Sequence, residues 1–301
     1  MQFEGIYTPL ITPFKADYSI DEANFVAVID FLIEAGVQGL IVAGTTGEYY
    51  AQTAEERIAL MSQAKAAIKG RVPLIVGTGA LRTEDSITFA EAGKAAGADA
   101  LLVATPPYSC PTGAEIAQHI LAVERAGGLP VMLYNYPGRM SVSMDETTLD
   151  ALAGNTNICA IKESSGSPDR LHLLARDYPQ IQLSCGMDDQ ALEFFAWGAR
   201  SWVCAGSNFA PEAHLALYRA CALEKDFDKG RRIMSAMLPL MRVLEQGGTF
   251  VQCIKEGTRR RGIEAGSPRL PLQPLSAEEA EKLGSVITAM DAELAAIEAG
   301  Q

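Results

Sequence analysis

Short, near-continuous apolar runs alternate with amphipathic stretches eight times along this chain, one unit every ~25 to 35 residues. The runs are Gly5–Ile11, Gly39–Ala43, Val72–Val76, Ala100–Val103, Leu129–Tyr134, Ile158–Lys162, Ile181–Cys185 and Ser201–Ala205. They lack the polar alternation of a half-exposed strand, so they read as parallel strands covered on both faces. The stretches between them have recognisable helix ends. Asp21 caps a helix over Glu22–Ala35, and Gly36 stops it. Thr53 caps a helix to about Lys69, with Glu56 three residues on as its capping-box partner. Further helices are expected over Thr83–Ala96, Thr112–Ala126, Asp145–Ala153, from about Asp169, over Asp188–Trp197, and from Pro211. Eight such units predict an α/β protein, a (β/α)8 TIM barrel with a C-terminal helical extension. A doubly wound open sheet is the competitor. Against it, no G-x-G-x-x-G follows the first strand and there is no P-loop.

The barrel is expected to occupy residues 1–225 and the extension residues 226–301. Phe227–Leu244, Phe250–Arg261 and Ala277–Ala299 carry periodic apolar positions. A closed barrel does not need them, so they should pack on it or on another subunit. The net charge of −12 argues against nucleic acid or an anionic membrane as partner. The six cysteines are scattered, without a C-x-x-C pair or zinc spacing, and suit a reduced, cytoplasmic protein. No signal peptide is visible, and no apolar run approaches the ~20 residues of a membrane span.

Barrel enzymes carry their sites at the C-terminal strand ends. The second strand ends in Thr45-Thr46, the fourth leads to Tyr108, the fifth ends in Tyr134 and the sixth in Lys162. The loop after the fifth adds Arg139 across a Pro137-Gly138 turn. Hydroxyls and one amine are therefore expected to converge. A lysine ending a buried strand loses water from its ammonium, which favours the neutral, nucleophilic amine. Such an amine can form a Schiff base with a keto acid. The three histidines, His119, His172 and His214, fall in helical stretches, and strand ends lack paired carboxylates. Glu48 and Glu163 are expected to be structural. Of Asp188 and Asp189, one is expected to cap a helix, a metal role being the lesser alternative. No metal site and no cofactor are expected.

Three stretches carry a family resemblance: Gly44-Thr45-Thr46-Gly47-Glu48, Tyr134-Asn135-Tyr136-Pro137-Gly138-Arg139 and Ile161-Lys162-Glu163-Ser164-Ser165-Gly166. In order and spacing they resemble the signatures of the dihydrodipicolinate synthase / N-acetylneuraminate lyase family, across essentially the whole chain. The resemblance implies a class I lyase or aldolase acting on pyruvate or a related 2-keto acid. Lys162 would form the imine. Tyr134 would shuttle protons, completed by Thr45 and by Tyr108, the latter typically from a neighbouring subunit. Thr45 and Thr46 would bind the keto-acid carboxylate, and Gly186 matches a glycine near the substrate pocket. Arg139 would hold a second carboxylate. A homo-oligomer, a dimer of dimers, is implied as well. Pro107-Tyr108 departs from the adjacent tyrosines common in biosynthetic members, and Tyr49-Tyr50 stands where small residues are usual.

Three activities stay open at this point. The first is condensation of pyruvate with aspartate semialdehyde to 4-hydroxy-tetrahydrodipicolinate, which Arg139 favours. The second is catabolic: a 2-keto-3-deoxy sugar acid aldolase or dehydratase, a sialic acid lyase, or a pyrroline-4-hydroxy-2-carboxylate deaminase. The third is a non-catalytic keto-acid binding protein.

Overall fold

Residues 1–300 are described by a computed structural model. Eight parallel strands close into a barrel in sequence order: β1 (Gly5–Pro9), β2 (Gly39–Val42), β3 (Leu74–Gly77), β4 (Ala100–Ala104), β5 (Val131–Asn135), β6 (Ile158–Glu163), β7 (Gln182–Cys185) and β8 (Ser201–Val203). β8 pairs back with β1 to complete the ring. Nearly every strand residue is buried, because side chains alternate between the barrel interior and the helix layer and neither face meets water. The interior cluster includes Tyr7, Ile41, Ile75, Leu102, Met132, Tyr134, Ala160 and Val203.

The helix layer comprises α1 (Glu22–Ala35), α2 (Ala54–Ile68), α3 (Thr83–Ala95), α4 (Gly113–Gly127), the single-turn α5 (Pro137–Met140), α6 (Glu146–Leu152), α7 (Pro168–Asp177), α8 (Ala191–Ala196) and α9 (Pro211–Tyr218). The expected caps form. Asp21 accepts from the Asn24 N–H, Gly36 takes the left-handed conformation, and Thr53 with Glu56 closes a full capping box. Two expectations are corrected. The segment after β5 is a helical turn rather than a loop: Pro137 pre-sets the first helical φ, and Tyr136 O accepts from the Arg139 and Met140 N–H groups. The single helix expected over Asp188–Trp197 is broken. Asp188–Gln190 forms a 3-10 turn, and Gln190 at φ −119° separates it from α8.

Beyond the barrel lie α10 (Phe227–Gln246), α11 (Phe250–Arg260) and α12 (Ala277–Glu298). No helix among the described residues is long and apolar enough to cross a membrane. One buried ion pair ties α11 to the mouth of the barrel. Lys255 Nζ lies 2.8 Å from Glu48 Oε1, and both side chains are almost fully buried. The same Nζ donates to Thr12 O at 2.9 Å and Ser267 O at 3.2 Å. The other Glu48 oxygen accepts from the Arg269 N–H at 2.9 Å. Glu48 ends the Thr45–Gly47 turn in a left-handed conformation, φ +60°. The extension thereby fixes the turn after β2.

Removing one member of a buried pair strands the other charge, at a cost of about 3–5 kcal/mol. Lys255→Met should accordingly lower unfolding stability in urea by about that much, and adding Glu48→Gln should recover part of it. A Lys255→Met protein of undiminished stability would show the pair to be dispensable.

Candidate active site

β5 and β6 run in register so that Tyr134 stands opposite Lys162. Strand alternation turns both side chains into the barrel, one layer above Met132 and Ala160. Lys162 Nζ sits 4.1 Å from the centre of the Tyr134 ring. The lysine is 8% exposed and makes no hydrogen bond or ion pair with a described residue. Burial pushes its pKa below the ordinary lysine value, with Asp188 and Glu245 acting against the shift. The Tyr134 hydroxyl is pushed up, again by burial, against the opposing influence of Arg139 and the Thr45 hydroxyl.

The shape around the amine comes from neighbouring strand ends. A Cβ on Gly186 would lie 2.7 Å from Lys162 Cγ and 2.9 Å from Glu163 O, so only glycine lets the lysine stem pass. Gly186 N donates to Glu163 O at 3.0 Å, and Ser164 Oγ donates to Gly186 O at 2.8 Å. Glu163 points outward and is structural, as expected. Its carboxylate accepts from Asn135 Nδ2 at 2.8 Å and Ser165 N at 2.7 Å, and lies 3.5 Å from Arg170 Nε. These contacts lock the ends of β5 and β6 to the start of α7.

One cavity at the C-terminal ends of the strands is lined by Thr45, Thr46, Tyr134, Arg139, Lys162 and Gly186. Tyr136 adds a ring 5.9 Å from that of Tyr134, and Arg139 Cζ lies 5.5 Å from the Tyr136 ring centre. The turn bearing Thr45 and Thr46 is held by Thr12 Oγ1 and Gln52 Nε2, which donate to Gly47 O at 2.8 and 2.7 Å. Tyr108 is not brought into this cavity. It is 91% exposed, at φ +74°, in the loop after β4. The convergence expected of it does not occur within one chain.

Two cavity residues escaped the sequence reading, and one expectation about them is corrected. Neither Asp188 nor Asp189 caps a helix through its side chain. Asp188 is buried against the site, where its Oδ1 accepts from Trp202 Nε1 at 2.8 Å. Glu245, in the last turn of α10, lines the same cavity. The site therefore does hold two carboxyls, although only one follows a strand. Both are pushed above the ordinary carboxylate range by burial, and each is opposed by Lys162. Asp188 was traceable, two residues beyond Gly186. Glu245 had no local signal, because it arrives from the extension.

A buried, unpartnered amine with a lowered pKa beside a buried phenol is equipped for covalent carbonyl chemistry. The comparisons with known proteins agree in family. Residues 2–290 match the sequence profile of the Dihydrodipicolinate synthetase family. The chain is 35% identical over 295 residues to the 4-hydroxy-tetrahydrodipicolinate synthase of Bacillus subtilis (strain 168), covering 96% of this chain and 99% of that one. Its fold superposes with TM-score 0.93, at 30% identity and 99% coverage of both chains, on the 4-hydroxy-tetrahydrodipicolinate synthase from Methylacidiphilum fumariolicum SolV. It also superposes with TM-score 0.89, at 29% identity and covering 97% of this chain and 99% of the other, on YagE, an E. coli K12 prophage protein of the same family in complex with pyruvate. The chain belongs to the dihydrodipicolinate synthetase family.

Proposed function

We propose that this protein is a Schiff-base-forming lyase that condenses pyruvate with aspartate semialdehyde, as a 4-hydroxy-tetrahydrodipicolinate synthase. The observation that carries the reading is Lys162, whose desolvated amine points into the cavity over Tyr134 with no partner of its own. Relatives at 35–37% identity bear that synthase name. In this reading the neutral Lys162 amine attacks the keto carbon of pyruvate, and the hydroxyl of the carbinolamine so formed takes a proton and leaves as water, which gives an iminium. The iminium draws electrons from the adjacent methyl, a proton is lost, and an enamine forms. The enamine carbon then attacks the aldehyde carbon, whose oxygen takes a proton, and the regenerated iminium releases Lys162 when the substrate's own amino group replaces it at the former keto carbon. Tyr134, with the Thr45 hydroxyl beside it, moves the protons these steps require. Thr45 and Thr46 take the pyruvate carboxylate through hydroxyl and N–H groups of their turn. Gly186 keeps the space open for the adduct.

Arg139 is assigned the carboxylate of the second substrate, which its planar fork suits better than an ammonium would. Tyr108 acts, in this proposal, in a second copy of the chain. Tyr108, Leu81 and Tyr50 are 91, 67 and 48% exposed, which is unusual for such side chains and fits a face covered by another subunit. The oligomer so formed, with a small keto acid as the other partner and the cytoplasm as location, belongs to the same proposal. So does a functional division near residue 225, with residues 1–225 supplying the strand-end chemistry and the extension closing the mouth.

Purified protein should consume aspartate semialdehyde with pyruvate far faster than it cleaves 2-keto-3-deoxy sugar acids or deaminates pyrroline carboxylates. The reverse order would transfer the assignment to a catabolic reaction. Arg139→Ala should leave pyruvate binding near wild type and weaken use of the aldehyde about 10²-fold, as when a charged hydrogen-bond pair is lost. Loss of pyruvate binding too would mean that Arg139 shapes the keto-acid pocket instead.

Lys162→Arg should be inactive yet folded, since a guanidinium stays protonated and cannot attack. Tyr134→Phe should bind pyruvate but turn over slower by about 10² or more. Near-normal turnover in Tyr134→Phe would reduce that residue to packing.

A further inference from the structure

We propose that Glu245 is the specificity-determining residue for the second substrate, and that it reads an ammonium group while Arg139 reads the neighbouring carboxylate. The substrate class so selected is an α-amino acid aldehyde. The inference rests on the condensation reading above and names what that site discriminates.

Glu245 and Arg139 line one cavity with Lys162 and Asp188. They reach it from different parts of the chain, Arg139 from α5 and Glu245 from the last turn of α10. Arg139 rests near the Tyr136 ring rather than in an ion pair. Glu245 has no hydrogen bond or ion pair to a described residue. A cation held only by Tyr136 and a carboxyl with no hydrogen-bond or ion-pair partner thus face the same small space. Lys162, nine-tenths buried and likewise unpartnered, is aimed into it.

The charge balance says which kind of group is missing. Asp188 is anchored by the Trp202 indole N–H, but Glu245 has only the repulsion of Asp188 and Asp189 against the attraction of Lys162 and Arg139. Its carboxyl is held above the usual range by burial and by those acidic neighbours. When Lys162 passes from iminium to enamine, its positive charge disappears. The aldehyde must be captured at that stage. An ammonium entering then restores a cation beside the two carboxyls and lets Glu245 ionise against it. A carboxylate on the adjacent carbon meets Arg139. An aldehyde with a carboxylate but no amino group satisfies Arg139 alone and leaves the partly buried Glu245 carboxyl without a partner, which is unfavourable for a polar group withdrawn from water.

The test compares aspartate semialdehyde with succinate semialdehyde, which has the same chain without the amino group, each with pyruvate and full-length protein. Wild type should prefer the amino aldehyde in kcat/KM. In Glu245→Gln that preference should shrink by about 10²-fold, through a fall in kcat/KM for the amino aldehyde with a much smaller change for succinate semialdehyde. Glu245→Asp, which keeps the charge, should restore part of the preference, an outcome a merely structural role would not give. An unchanged ratio in Glu245→Gln, or an equal fall for both aldehydes, overturns the assignment and leaves the condensation reading standing. A wild-type enzyme that consumes neither aldehyde overturns the condensation reading itself, and this inference with it.

Discussion

Desolvation of one ammonium group organises this molecule. Lys162 ends β6 inside a closed barrel, where its charge loses water and gains only the face of the Tyr134 ring, with no hydrogen-bond or ion-pair partner. Such burial is unfavourable for the charged form and favours the neutral amine. The surrounding structure is arranged to keep it so. Glu163, the adjacent residue, faces the other way and ties β6 to β5 and α7 through Asn135 and Arg170. Gly186 leaves room for the lysine stem where any side chain would collide with it. The local strand ends are held rigidly by groups that face away from the cavity. The cavity side is left with an amine, hydroxyls, and one carboxyl, Glu245, without a hydrogen-bond or ion-pair partner.

The three C-terminal helices are part of this arrangement. Lys255 on α11 reaches under the mouth to Glu48, and so secures the turn that carries Thr45 and Thr46. Glu245 at the end of α10 brings a second carboxyl to the cavity. That carboxyl and Asp188 both oppose the lowering of the Lys162 pKa, so the extension bears on the amine as well as on the cavity wall. A site built only from barrel strands would lack both effects. The oligomeric face proposed around Tyr108 and Leu81 would add a further contribution from outside the chain.

Much of this could be read from the residues. Eight apolar runs with capped helices between them predicted the barrel, because strand burial and helix caps are written in local composition. Lys162, Tyr134, Thr45 and Thr46 follow from a positional rule that looks for chemistry at strand ends, and the structure brings the four to one cavity. The same rule had no hold on Glu245, which comes from a helix after the barrel has closed. It misread Asp188, since an acidic pair before a helix looks like a cap until the Trp202 indole is seen to take one oxygen. It placed Tyr108 at the mouth because a strand end gives no information on the course of the following loop, which leaves that ring almost fully exposed within one chain. These failures share one cause: each depends on how distant segments or a special backbone step meet in space.

The central claim is that Lys162 forms the imine, and covalent trapping tests it most directly. Protein incubated with pyruvate and then borohydride, digested and examined by mass spectrometry, should carry one reduced pyruvyl group on the peptide holding Lys162. Protein treated with borohydride alone should carry none. An unmodified Lys162 peptide, or a label on another lysine such as Lys255, would contradict the account.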